Sequence, residues 1–194
     1  MDWLDACPND FRDRLVKMLD FPPGTPGSEA IYDIIMGDEF SDIYLDFDKV
    51  DPSFNDLKRE ARKKYAAAWG KYAEAITARK ILEQGLPLRE WNWSPSGTSG
   101  KSGRGRGEID LITQKGNRII FIEVKARCGR YSDPLEAIDN KKIRRLCHGA
   151  DVYLKMQRES YEFQFDLALI TGNYLDYTFE YIEDAFFPPL SNYR

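Results

Sequence analysis

A single histidine, His148, is all that the 194 residues carry, and this scarcity excludes whole classes of chemistry. A multi-histidine zinc centre is impossible, and any Ser-His-Asp or Cys-His arrangement would have to use that one ring. His148 falls within 141–157, where Ile143, Leu146, Ala150, Tyr153 and Leu154 recur at helical spacing, so a helix-surface histidine is expected. Cysteine is almost as sparse. Cys7, Cys128 and Cys147 are odd in number and include no Cys-x-x-Cys pair, which favours neither a disulfide framework nor a zinc ribbon. No apolar run approaches the roughly 20 residues of a membrane span. The opening Met1-Asp2-Trp3-Leu4-Asp5 lacks the basic region and apolar core of a signal peptide. These absences predict a cytoplasmic protein with no membrane partner.

An overall excess of base is also missing. The net charge is -4 and the pI is near 5.2, unusual for a dedicated nucleic-acid binder, but the charge is unevenly spread. Residues 101–145 carry twelve bases against six acids, a balance of +6, and phosphate-tracking proteins concentrate base in this way. Residues 28–58 carry nine acids against two bases, a balance of -7. Nucleotide-triphosphate binding is excluded. Gly100-Lys101-Ser102 has the end of a P-loop, but the glycine required five residues earlier is replaced by Pro95, and the glycines that follow would not start a helix. The Gly/Ser-rich loop 94–107 serves equally as a flexible linker or as a phosphate-tracking segment through Lys101, Arg104 and Arg106.

With 42% apolar and 13% aromatic residues, the chain has the composition of a globular protein. Phe11 to Asp20 reads as a short amphipathic helix, stopped by Pro22-Pro23-Gly24. Residues 28–48 are acidic but interspersed with isoleucine and tyrosine. A long helical pattern runs from Asn55 to Gln84, with Gly85 suited to its C-terminal cap. Leu88 to Trp93 reads as a strand, as do Tyr161 to Thr171 and Tyr177 to Ile182, and the stretch from Lys141 to Gln157 reads as a helix. The predicted division is an acidic, mostly helical extension over residues 1–53 and a mixed α/β domain over 54–194.

Two apolar runs around Gly116-Asn117, a dipeptide suited to a two-residue hairpin turn, carry the chemistry. If that dipeptide is the turn centre, residue 115 pairs with 118 and every cross-strand pair sums to 233. Asp110 then stands opposite Glu123, and Glu108 opposite Lys125. Alternation puts Asp110, Glu123 and Lys125 on one face. Directly opposed carboxylates repel, which calls for something to neutralise them. A hard divalent cation takes one or two carboxylates and leaves its other positions to water and phosphate, while a lysine nearby can hold phosphate or stabilise developing negative charge. These are the parts needed for metal-assisted phosphodiester hydrolysis. The same pattern also describes an outward strand face with ordinary solvated charges, and Glu74 by itself reads as a helix acid paired with Lys71.

Gly107-Glu108-Ile109-Asp110-Leu111-Ile112 followed by Phe121-Ile122-Glu123-Val124-Lys125-Ala126-Arg127 resembles the YraN-like family, and more broadly the PD-(D/E)xK nucleases, including Holliday-junction resolvases. Further matching residues are Gly70, Ala73-Glu74 and Ala78; Pro134 to Ile138; Lys142 to Leu146; Tyr153-Leu154; Phe165-Asp166; and Ala185-Phe186. The resemblance spans about residues 64–190. It implies a restriction-endonuclease-like fold, a mixed central β-sheet flanked by helices. It also implies a Mg2+- or Mn2+-dependent, endonuclease-like hydrolysis of phosphodiester bonds in nucleic acid, DNA foremost, with branched or repair intermediates as a substrate class. Carried over residue by residue, Asp110, Glu123 and Glu74 would bind metal and Lys125 would assist water attack. Glu108 and Gln164 are secondary candidates near that site. Lys101, Arg104, Arg106, Arg127, Arg130, Lys141, Lys142 and Arg145 are the expected nucleic-acid contacts. A homodimer is left open, and the acidic stretch 28–51 is expected either to compete with nucleic acid for the basic face or to pack elsewhere with its charges solvated. The alternative function is a nucleic-acid-binding or protein-interaction module that keeps the fold without turnover.

Overall fold

The computed structural model describes residues 7–23, 55–95, 107–127, 138–172 and 176–187, with only the backbone described over 55–65. Three helices and five strands lie within them: α1 (Asn9–Asp20), α2 (Asn55–Glu83), β1 (Leu88–Trp93), β2 (Ile109–Lys115), β3 (Arg118–Arg127), α3 (Asn140–Met156), β4 (Glu162–Gly172) and β5 (Tyr177–Ile182). The strands form one sheet in the order β1-β2-β3-β4-β5. Every neighbouring pair is antiparallel except β3 and β4, which run parallel. A parallel pair needs a long crossover, and α3 lies in it. The result is a mixed sheet flanked by helices, as the restriction-endonuclease-like fold requires.

The central strands are apolar on both faces because both faces are covered. On one, Ile120, Ile122 and Val124 of β3 join Leu111, Ala168 and Ile170 against Ala73, Ile76 and Ile81 of α2. On the other, Ile119 and Phe121 join Ile112 and Phe165 against Leu146, Ala150 and Tyr153 of α3. The β2–β3 hairpin keeps the predicted register: Lys115 pairs with Arg118, and the ladder runs back to Leu111 opposite Ile122. Gly116 supplies the positive φ of the turn, at 59°. Gly85 does the same after α2, at 76°.

Helix α1 shares the α2-side core, where Leu15 and Met18 are fully buried. A division at residue 53/54 therefore separates α1 from a core it helps to fill. The acidic stretch 28–51 lies outside the described residues. Among the described residues, no helix is long and apolar enough to cross a membrane.

Two backbone features set the geometry at the upper end of β2. Gly107 and Gly149 touch: a Cβ on Gly149 would stand 2.2 Å from the Gly107 carbonyl oxygen. Only glycine lets α3 come this close to the chain entering β2. On the neighbouring strand Asn92 has a φ of 54°, a left-handed conformation that asparagine tolerates better than most residues. There the regular alternation breaks. Trp91 packs into the α2-side core and Trp93 against the α3-side core, although they are two residues apart.

Candidate functional site

Asp110 sits where β2 parts from β3. The ladder ends at Leu111–Ile122, one pair short of the expected opposition of Asp110 to Glu123. In place of that pairing, Asp110 Oδ2 accepts the Val124 backbone N–H at 2.8 Å, so the side chain takes over a ladder hydrogen bond. The two carboxylates remain close enough for the charge of Asp110 to be felt at Glu123.

Alternation along β3 puts Glu123 and Lys125 on the α3 face with Ile119 and Phe121. Glu123 is 1% exposed, and two ammonium groups meet it there. Lys125 Nζ pairs with Oε1, and Lys142 Nζ, from the first turn of α3, lies 2.8 Å from Oε2. Oε2 is fully buried, and the Lys142 ammonium is its partner. Burial is the main reason the Glu123 pKa is pushed up to about 7; the Asp110 charge adds to the rise, and Lys142 and Lys125 oppose it. Burial lowers the Lys142 pKa, but Asp110, Glu123 and Glu108 outweigh it and hold the ammonium above its ordinary value. Asp139 places Lys142, because its side chain caps α3 by accepting the Lys142 backbone N–H at 2.6 Å.

Glu74 approaches from the α2 side. It is 6% exposed, far more deeply buried than an ordinary surface partner of Lys71. Lys71 Nζ donates to Oε1 at 2.7 Å, Trp91 Nε1 to Oε2 at 2.8 Å and Asn92 Nδ2 to Oε2 at 2.6 Å. Burial raises its pKa, Lys71 lowers it, and Asp110 raises it further. Glu74 and Glu123 thus flank Asp110, but both Glu74 oxygens already serve the protein's own donors.

The other sequence-predicted residues divide. Glu108 is half-buried and contributes to the field at Lys142. Arg127 and Lys141 are exposed and Arg145 half-buried. Lys142 was expected as a phosphate contact, yet it is three-quarters withdrawn from solvent and committed to Glu123. Lys101, Arg104, Arg106 and Arg130 lie outside the described residues. Gln164 is not near the site. Its neighbour Phe165 packs on the α3 side, so Gln164 and Asp166 face α2, and Gln164 pairs with Ile120, three positions before Glu123. There it lines a cavity of about 340 Å³ with Arg118, Asp166 and Tyr181. Buried Asp166 accepts from Tyr181 Oη at 2.6 Å, Gln164 Nε2 at 2.8 Å and the Asp184 backbone N–H at 3.0 Å, which ties the end of β5 to the sheet.

Among the described residues no group of three or more His, Cys, Asp or Glu side chains is placed to hold a metal ion. The donor set that fits one is smaller. Asp110 and Glu123 are hard oxygen donors, and Mg2+ is commonly held by one or two carboxylates with water and phosphate completing its shell.

The family model for the uncharacterised protein family UPF0102 matches residues 73–170, which include Glu74, Asp110, Glu123, Lys125 and Lys142 but not α1. A UPF0102 protein of Phocaeicola vulgatus is 32% identical over 123 residues, covering 63% of this chain and 94% of that protein. One from Bacteroides thetaiotaomicron is 30% identical over 122 residues, covering 62% and 93%. One from Chromohalobacter salexigens is 40% identical over 82 residues, covering 42% and 67%.

Proposed function

We propose that this chain, which belongs to the uncharacterised protein family UPF0102, is a metal-dependent nuclease hydrolysing phosphodiester bonds in DNA, branched or repair intermediates included. The observation that carries the reading is buried Glu123, held by the ammonium groups of Lys125 and Lys142 beside Asp110 where β2 and β3 part. Burying a carboxylate is costly even when it is paired, and carboxylates perturbed by burial concentrate at functional sites. Asp110 and Glu123 would hold Mg2+ or Mn2+, which supplies a nucleophilic water at neutral pH and charge stabilisation at phosphate. Lys125 orients the attacking water and offsets negative charge developing on the phosphate oxygens. Glu74, its oxygens engaged by Lys71, Trp91 and Asn92, anchors β1 and adds negative potential at Asp110. Arg127, Lys141 and Arg145 contribute phosphate contacts. Incubation of the full chain with linear, flapped, four-way and single-stranded DNA, in Mg2+, Mn2+ and EDTA, tests this directly. Metal-dependent products from the wild type and none from Asp110→Asn are expected. No cleavage of any substrate would overturn it.

A second reading rests on a different observation. Two lysines already neutralise Glu123, and no group of three acids is assembled among the described residues. This favours a binding module that uses the fold without turnover. Binding in EDTA with no cleavage in either metal would select it.

A further inference from the structure

Helix α1 lies outside the family match, yet it reaches the Asp110 end of the sheet. Arg14 crosses from it to β1, with its guanidinium 4.4 Å from the centre of the Trp91 ring and Nη2 3.4 Å from Asn92 Oδ1. Lys71 Nζ reaches the same Asn92 oxygen at 2.8 Å, and Asn92 Nδ2 lies 3.5 Å from the Asp110 backbone oxygen. The left-handed turn at Asn92 gathers these contacts, because it holds the amide at the centre while Trp91 stays in the α2-side core. Arg14, Lys71 and Glu74 therefore form two bases against one acid on the α2 side of Asp110, opposite the side where Lys125 and Lys142 meet Glu123.

The donors on Arg14 are under-used. Its hydrogen-bond partner among the described residues is the single long contact to Asn92; Nε is buried, so the Nη groups are the donors left to meet a ligand. A guanidinium carries five donors in a rigid fork that matches phosphate oxygens two at a time. Stacking on Trp91 fixes its plane in advance, so less freedom is lost when an anion binds. Glu74 does not use these donors, since its oxygens are occupied by Lys71, Trp91 and Asn92.

We propose that Arg14 forms a phosphate-binding subsite beside Asp110 that holds the backbone of a nucleic-acid substrate, with Arg14 supplied by a helix outside the family match and Lys71, engaged by Glu74 and Asn92, adding positive potential. The subsite rests on the nucleic-acid reading given above. It places the substrate strand across the Asn92 kink of β1, with the phosphate next to the reacting one on the α2 side.

The test is the salt dependence of binding by the full chain to a short fluorescent DNA duplex in EDTA, read by anisotropy over about 50 to 200 mM salt. Each phosphate contact contributes about one to the slope of log affinity against log salt. Arg14→Ala should lower that slope by about 1 and weaken low-salt binding several-fold, whereas Arg14→Lys should keep the slope but bind less tightly. Lys17→Ala, at an exposed position on the same helix, should match the wild type. A folded Arg14→Ala protein with an unchanged slope overturns the subsite and leaves Arg14 a packing partner of Trp91. If Arg14→Ala does not fold, phenylglyoxal modification of the wild type replaces it: slower modification of Arg14 when duplex is bound supports the subsite, and an equal rate overturns it. Absence of wild-type binding at low salt ends the nucleic-acid reading as a whole. Binding indifferent to Arg14 ends only the subsite.

Discussion

Replacing Glu123 by glutamine should stabilise the metal-free protein at pH 8, although it removes a carboxylate flanked by two lysines. The argument is one of linkage. The pKa of Glu123 stands at about 7 in the folded chain against an ordinary 4.5, chiefly through burial. Between those values the folded state keeps a proton that the unfolded chain has released, so stability falls as pH rises through the window and levels off above it. At about 1.4 kcal/mol per pH unit, a displacement from 4.5 to about 7 amounts to about 3 kcal/mol as an upper figure. Glutamine resembles the protonated carboxyl in shape and charge. The variant should therefore equal the wild type below pH 4.5 and exceed it by up to about 3 kcal/mol above pH 7, a gain of up to roughly 6–12 °C in Tm for a chain of this size.

Thermal unfolding monitored by circular dichroism from pH 4.5 to 8.5 in EDTA measures the difference, and the same series in Mg2+ adds a second readout. A divalent ion binds the ionised carboxylate, so Mg2+ should raise the Tm of the wild type at pH 8 and leave the variant nearly unmoved. A Glu123→Gln protein less stable than the wild type at pH 8 in EDTA would refute the reasoning. It would mean that the ion pairs with Lys125 and Lys142 outweigh the cost of burying the charge.

Asp110→Asn should abolish metal-dependent cleavage while retaining most DNA affinity, measured by product formation and anisotropy on one preparation; equal loss of both would point to misfolding. Lys125→Ala should reduce turnover more than binding, which single-turnover kinetics separate from KM. Gly149→Ala should cost about 2 kcal/mol or more, because its Cβ would collide with the Gly107 carbonyl, and urea unfolding reads the loss. Tyr181→Phe should destabilise by about 1–3 kcal/mol by leaving a buried oxygen of Asp166 without its 2.6 Å donor; an unchanged urea midpoint would rule that out.

The hairpin was legible because its information is local. A Gly-Asn turn fixes the register of the strands beside it, and Lys115–Arg118 to Leu111–Ile122 pair as the sum of 233 requires. The long helix and its Gly85 stop were legible for the same reason. What escaped the sequence is long-range. Lys142 read as one base in a basic run, and the close Gly107–Gly149 contact, together with the packing of Leu146, Ala150 and Tyr153 on the sheet, brings its helix over Glu123. Gln164 read as a neighbour of the site, but the side of the sheet it faces depends on how β4 pairs with β3. Asn92 left one faint signal, an asparagine between two tryptophans in a strand. Tryptophans two residues apart share a face in a regular strand, and a residue tolerant of positive φ between them offers the means to divide them between two cores.

The same kink bears on how the acidic stretch 28–51 should be tested. Removing everything before residue 54 would also delete Leu15 and Met18 from the α2-side core and Arg14 from the face of Trp91. A change in DNA affinity in such a truncation would mix three causes. Neutralising Glu29, Asp33, Asp38 and Glu39 to their amides in the full chain leaves α1 in place and isolates the electrostatic one. Competition with nucleic acid for the basic face then predicts tighter DNA binding at low salt, with the difference shrinking as salt screens the charges. Equal affinity at every salt concentration would leave those acids no part in binding.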